Sequence, residues 1–294
     1  MEPSGDQYPG AWRPLTPRGI AVFARASFSR LFLIFCLMGL VAAGTVVWVV
    51  SVAWFPVISS AIDHLPQEGQ IRNGRLNWTG ETPQILAENR FLALAVDLDH
   101  SAQTRSPAHL QAEFGQTDLR FYSLLGGWVT TYPKDYVIGF NVEELKPRWG
   151  AWAPMILALA ALSSWAWFLV SWAALATIYC LPAWLLGLYA NRDLTFLGSW
   201  RVAGAALMPG ALVMSAAMLL YGFGQLDVVQ FLAAFVLHFV IGWVYLVLGV
   251  VAAPKIVAEQ AVKANPFNPP GAQEQTGQAS RKTDETNPFR PSGD

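Results

Sequence analysis

Long stretches without any Asp, Glu, Lys or Arg dominate the hydrophobic pattern of the chain. They cover residues 31–62, 149–191, 202–226 and 228–254. A helix needs about 20 apolar residues to cross a bilayer, so each stretch is long enough to do so. The pattern therefore predicts an α-helical integral membrane bundle. Its four predicted transmembrane spans cover residues 31–55, 152–180, 202–222 and 229–253.

A proline divides the second and longest of these stretches. Pro182 lacks a backbone N–H and its ring clashes with the preceding helical turn, so we expect the second span to end before it. Residues 183–201 then form an interfacial segment followed by a loop. An alternative with five spans, in which residues 183–190 belong to an extra span, stays open.

The arginines predict the orientation of the spans. Residues 1–30 carry four arginines, and the loop between the second and third spans carries Arg192 and Arg201. Short basic segments stay on the cytoplasmic side of a membrane. We therefore expect a retained signal anchor, cytoplasmic N and C termini, and a multi-pass protein of a bacterial inner membrane.

Residues 57–149, between the first two spans, predict a small β-rich extracytoplasmic domain. Asn73-Gly74 separates two short strand-like runs, which is the strongest local signal for a β-hairpin. Residues 118–123 alternate in polarity, which predicts a strand with one buried face.

Composition narrows the classes of function. The chain has 294 residues, of which 54% are hydrophobic and 13% charged, and its net charge is −1. Bulk charge therefore gives no support to nucleic acid as a partner. The two cysteines, Cys36 and Cys180, both lie in apolar runs. Without a phosphate-binding loop, a nucleophile elbow or a metal-ligand motif, the sequence predicts a non-enzymatic protein without a cofactor.

Histidines and acids cluster in the β-rich segment, where two chemistries are conceivable. A metal site or an acid–base pair competes with ordinary solvated turns, and the absence of ligand spacing such as HExxH favours turns. The residues concerned are Asp63, His64, Asp97, Asp99, His100 and His109.

His238 is the single ionisable residue inside the predicted spans, apart from tyrosines and cysteines. Intramembrane ionisable residues are functional candidates by default. Spacings of three and four residues place His238 and Tyr245 on one helix face with Ala234, Gly242 and Gly249. Packing between helices, with a hydrogen bond to a neighbouring helix, is favoured over a proton-sensing or substrate-lining role.

The two ends of the chain predict different structures. Thr16-Pro17 followed by residues 19–32 predicts a helix that lies on the membrane surface before the first span. Residues 255–294 are rich in Pro, Gln, Ser and charge, which predicts a disordered cytoplasmic tail. Within the tail a triplet occurs twice, and its repetition suggests a linear binding motif. The triplets are Asn265-Pro266-Phe267 and Asn287-Pro288-Phe289.

Several short motifs resemble those of an uncharacterised bacterial family of multi-pass membrane proteins. They are Ile71 to Leu76, Pro83, Val96 to Asp99, and Trp200 to Ala206. The family is defined by a domain of unknown function and is sometimes labelled as maltodextrin-utilisation accessory proteins. A more distant similarity to Yip-type membrane bundles implies a trafficking or scaffold role.

Together these features predict an accessory, sensor or scaffold protein of the membrane. Its expected partners are the lipid bilayer and other membrane or envelope proteins. A component of a transport system is the alternative, and a hydrolase ranks last because the residues for its chemistry are missing.

Overall fold

The computed structural model describes residues 13–255, and within this range four helical stretches are long and apolar enough to cross a membrane. This confirms the predicted helical bundle with a small β-sheet region. The helices of the bundle are α2 (Phe28–Ala53), continued by the short α3 (Phe55–Asp63), α4 (Val142–Tyr189), α5 (Phe196–Gly222) and α6 (Val228–Ala252).

Helix α5 is the centre of the bundle and packs against α2, α4 and α6. Small residues allow this close packing. A Cβ atom at Gly210 would lie 2.4 Å from the carbonyl oxygen of His238, and one at Gly204 would lie 3.0 Å from the ring of Phe35. The backbones of α5 and α6 therefore approach as closely as glycine permits.

Helix α4 continues through Pro182, so the predicted break there is wrong. Its 48 residues extend over about 72 Å at 1.5 Å per residue, well beyond the thickness of a bilayer core. Pro182 costs the helix one backbone hydrogen bond. Tyr179, Cys180 and Ala183 are buried around it in the bundle, and this packing holds the helix together. The interfacial segment expected at 183–190 is the last part of α4 up to Tyr189.

The N-terminal segment also differs from the prediction of one surface helix. It forms α1 (Pro17–Val22), then a 3₁₀ turn over Phe23–Arg25, and the chain bends before α2. Ile20 and Phe23 are fully buried among the residues of the bundle core, and Gly249 of α6 leaves the space for Ile20. Burial of these two apolar side chains in the bundle outweighs the alternative of a continuous helix lying on a surface.

The segment between α3 and α4 forms two sheets within the described residues. One has the strand order β2-β1-β8 and the other β3-β4-β5-β6-β7, with β4 and β5 parallel and the remaining pairs antiparallel. The strands are β1 (Gly69–Arg72), β2 (Arg75–Trp78), β3 (Gln84–Glu88), β4 (Leu92–Val96), β5 (Leu110–Phe114), β6 (Asp118–Ser123), β7 (Gly126–Thr131) and β8 (Ile138–Gly139). We call residues 64–141 the β-domain.

The hairpin predicted at Asn73-Gly74 is confirmed. Arg72 pairs with Arg75, and the two turn residues have φ angles of 50° and 74°. The prediction that β6 buries one face is wrong, because its residues are half-buried on both faces as far as Tyr122. Helix α3 packs against β3 and β4, which lie at the edge of the five-stranded sheet away from β6.

Candidate functional site

An apolar cavity of about 510 Å³ lies where the β-domain meets the helices, and we call it the junction cavity. Its walls come from α3, from strands of both sheets and from the first turns of α4. Representative lining residues are Leu65, Leu94, Phe114, Phe140, Trp149 and Ile156. The volume falls in the range of pockets that hold small molecules, roughly 300–1,000 Å³.

Local contacts fix the two helices that form one wall of the junction cavity. Trp149 of α4 donates a hydrogen bond from Nε1 to the Ser59 hydroxyl of α3 at 2.9 Å, and its ring packs edge-on against Phe55. Asn141 caps α4 by accepting from the Glu144 backbone N–H at 2.9 Å, while its Nδ2 donates to the Gly69 carbonyl of β1. The start of α4 is therefore anchored to both α3 and the β-domain.

Charge is confined to the edge of the junction cavity. Among the lining residues that the structure describes, Arg148 alone is charged, and its guanidinium forms an exposed ion pair with Glu144 at 2.8 Å. Trp152 and Ile156 continue the apolar wall along α4, into the part of that helix that is apolar enough to enter a membrane. Such a site suits a long apolar chain with an anionic group near Arg148.

Polar contacts hold the β-domain against the end of α2 and the loop between α5 and α6. Asn89 donates from Nδ2 to the Ala53 carbonyl at the end of α2 at 2.7 Å. Arg90 donates to the carbonyl oxygens of Gly224 and Leu226, at 2.7 and 2.9 Å, in the loop between α5 and α6. Because these bonds reach backbone oxygens in two separate places, they fix how the β-domain sits on the helices.

His109 lies where the β-domain meets the end of α5. Its Nδ1 is hydrogen-bonded to the Tyr221 hydroxyl of α5 at 2.5 Å. Burial lowers the pKa of His109 below 6.5, the positive charge of Arg90 lowers it further, and Asp227 opposes the shift. The imidazole is therefore neutral near pH 7.

His100 lies within a second cluster, in the β-domain. Its Nδ1 lies 2.7 Å from a Glu113 carboxylate oxygen and its Nε2 lies 2.7 Å from an Asp118 oxygen. Glu113 is only 1% exposed. The imidazole thus joins β5 to the start of β6, which is a structural cross-link between strands.

Asp97 belongs to the turn after β4 and is also 1% exposed. Burial acts to raise its pKa, but hydrogen bonds from the Ser101 hydroxyl and from the backbone N–H groups of Ser101 and Ala102 outweigh it, and the pKa is lowered. Asp99 is exposed on the same turn. Hydrogen bonds within a turn account for this pair of carboxylates.

The remaining predicted residues of the β-rich segment are not brought together. His64 contacts the Ser60 carbonyl within α3, and Asp63 forms an exposed ion pair with Lys146. Over residues 13–255 no group of three His, Cys, Asp or Glu side chains is arranged to hold a metal ion. Sequence reasoning missed Glu113, because β5 alternates apolar and polar residues and this pattern predicts that Glu113 is exposed.

His238 and Tyr245 lie on α6 but face different surroundings. His238 borders a cavity between α4 and α6, and its Nδ1 donates to the Phe235 carbonyl of its own helix. Tyr245 is half-buried against the bundle core. The hydrogen bond that His238 donates is therefore within α6, and the predicted bond to a neighbouring helix is wrong. The tail triplets Asn265-Pro266-Phe267 and Asn287-Pro288-Phe289 lie outside the described residues.

Comparisons with protein-family models, with curated proteins and with solved structures gave no match to this chain. The resemblance stated above stays a prediction, and the chemistry of the site rests on its own geometry.

Proposed function

We propose that this chain is a non-enzymatic, multi-pass membrane protein that holds the acyl chain of an anionic lipid in the junction cavity. In this role it acts as an accessory or sensor protein of a bacterial inner membrane. The β-domain faces outward and both termini face the cytoplasm, as the distribution of arginines favours. The position of the junction cavity is the observation that carries the proposal.

The location of the cavity favours a lipid over a water-soluble ligand. Its wall continues along Trp152 and Ile156 into the apolar part of α4, so an acyl chain can enter without crossing water. An acyl chain gains no hydrophobic free energy on moving from the lipid tails into the cavity, so packing against the lining side chains and the contact with Arg148 must favour binding. Arg148 at the edge forms an exposed ion pair with Glu144, and the remaining N–H groups of its guanidinium can donate to a phosphate or carboxylate head.

Occupancy of the cavity gives the protein a means of sensing. A bound chain would contact α3, both sheets and α4 at once, because the lining residues come from all of them. Filling or emptying the cavity would therefore change how the β-domain packs on the bundle. A partner in the envelope that binds the β-domain would detect that difference.

Photolabelling tests the proposal. The purified full chain in nanodiscs is exposed to a fatty acid carrying a diazirine near its methyl end. We expect crosslinks on α3, β5 and the start of α4. Leu94→Trp fills the cavity and should reduce labelling about tenfold, whereas Val129→Trp makes a similar change on exposed β7 and should not.

Two outcomes would overturn the proposal: no labelling of these elements in the native chain, or equal labelling of both variants. A thermal unfolding measurement on each variant establishes that the comparison is made between folded proteins.

A further inference from the structure

Another cavity, of about 370 Å³, lies inside the bundle among α2, α4, α5 and α6, and we call it the α4–α6 cleft. Tyr179 and Trp243 bring α4 and α6 together, with ring centroids 4.8 Å apart. The cleft lies on the β-domain side of that contact. Trp167 and Phe235, both well exposed, border it and leave it open to the surroundings of the bundle.

In the cleft wall, the hydroxyls of Ser171 and Ser215 and the Nδ1–H of His238 each donate a hydrogen bond within their own helix. The hydroxyl of Ser171 donates to the Phe168 carbonyl at 3.0 Å, and that of Ser215 donates to the Ala211 carbonyl at 2.9 Å. His238 donates from Nδ1 to the Phe235 carbonyl. What these side chains still offer are lone pairs, on two hydroxyl oxygens and on Nε2 of the neutral imidazole.

Depth in the bundle restricts the ligand further. His238 lies ten residues after the start of α6 at Val228, which is about 15 Å along the helix axis. That is roughly half the thickness of a bilayer core, where a charged group is costly. The partner of these lone pairs must therefore be an uncharged hydrogen-bond donor.

We propose that the α4–α6 cleft binds a membrane-soluble alcohol, in which a hydroxyl group is attached to an apolar hydrocarbon body. The hydroxyl donates to Nε2 of His238, and the body lies against the aromatic rings of Trp167, Phe168 and Phe235. Trp167 and Trp172 also line the cleft, and their indole N–H groups can donate to the ligand oxygen. An alcohol both donates and accepts, so it matches the wall better than a ketone, ester or ether of the same shape, which only accepts. The proposal shares only membrane insertion with the acyl-chain function and is independent of the junction cavity.

A photoreactive analogue of farnesol tests this site in the full chain in nanodiscs. The matched probe is its methyl ether, which has nearly the same shape but no donor. We expect the alcohol to label α4 and α6 about five to ten times more strongly than the ether, the worth of one hydrogen bond in a membrane. Equal labelling by the two probes would overturn the proposal.

Variants of His238 provide the second arm. His238→Phe keeps an aromatic ring without the acceptor and should abolish the preference for the alcohol, whereas His238→Gln keeps an acceptor and should retain part of it. Tyr245→Phe removes a polar group elsewhere on α6 and is the control, with wild-type labelling expected. If His238→Phe keeps the full preference for the alcohol, the assignment of the hydroxyl to His238 is wrong.

The two sites can be tested separately. Leu94→Trp, which fills the junction cavity, should leave labelling by the farnesol analogue unchanged. Loss of farnesol labelling in that variant would indicate that the alcohol occupies the junction cavity, which would contradict this inference and leave the acyl-chain proposal to be tested on its own.

Discussion

The Tyr221 hydroxyl of α5 and Nδ1 of His109, the residue before β5, are hydrogen-bonded at 2.5 Å across 112 residues of sequence. Their rings also stack, with centroids 5.5 Å apart. Together with the Arg90 bonds to the loop after α5, this contact holds the β-domain against the bundle. The shape of the junction cavity depends on how the β-domain sits, so this contact helps to define it.

Acidification should weaken the contact between His109 and Tyr221. The pKa of His109 is lowered below 6.5 in the folded protein, so the unfolded chain binds a proton more readily. The stability that the neutral imidazole contributes is therefore complete above about pH 6.5 and is lost as the pH falls through the folded pKa.

Thermal unfolding between pH 8 and pH 5 measures this effect. His109→Gln should remove part of the pH dependence, whereas His64→Gln, at an exposed histidine directly after α3, should leave it unchanged. An identical pH profile in native protein and His109→Gln would contradict the role of the contact.

Asp97 should stabilise the β-domain through its hydrogen bonds with Ser101 and Ala102. Replacing the buried carboxylate by an amide in Asp97→Asn weakens its charge-assisted bonds from Ser101 and Ala102, and we expect a loss of about 1–3 kcal/mol in the free energy of unfolding. Asp99→Asn changes the exposed neighbour and is the control, with little expected effect.

The stability that Asp97 contributes is also lost as the pH falls, as for His109. Because its pKa is lowered from 3.8, its contribution is full above that value and is lost as the pH falls further. Asp97→Asn should therefore lose less stability than the native chain on going from pH 5 to pH 3, measured by unfolding in urea. An equal loss in both proteins would contradict the stabilising role of the Asp97 carboxylate.

Gly74 should be required by the turn between β1 and β2. Its φ of 74° disfavours any side chain, and a Cβ would also lie 3.1 Å from the Lys134 side chain. Gly74→Ala should cost about 1 kcal/mol and make the β-domain more sensitive to protease. Gly150 lies in α4 with open space around it, so Gly150→Ala should cost nothing. Unchanged protease resistance of Gly74→Ala would contradict the requirement.

The orientation of the chain can be tested with single cysteines in a background without Cys36 and Cys180. A membrane-impermeant maleimide applied to intact cells should label cysteines placed at Asn73 and Gln116, and it should not label one placed at Ser280. The expectation rests on the arginines of the short segments. Labelling of the cysteine at Ser280 from outside would contradict the predicted orientation.

Local rules were sufficient for the features that depend on local sequence. The apolar stretches and the Asn73-Gly74 turn were predictable because length, hydropathy and φ preference act within a few residues. Pro182 and the segment from Ile20 to Phe23 were predicted wrongly because packing in the bundle outweighs local preference there.

The candidate site itself was not predictable from sequence. The lining residues of the junction cavity extend from Ile58 to Ile156 and are individually ordinary apolar positions, with no shared spacing. They meet only because α3 folds back onto β3 and β4 while α4 starts beside β8. The pairing of His100 with Glu113 was likewise hidden, because their contact depends on the register of the parallel pair β4 and β5.

Native mass spectrometry of the full chain, released from membranes in mild detergent, tests the acyl-chain function most directly. We expect one anionic phospholipid to stay bound to each native chain after the detergent micelle is removed in the gas phase, and to be lost in Leu94→Trp but not in Val129→Trp. A native chain that carries no lipid, or two variants that carry it equally, would contradict the account.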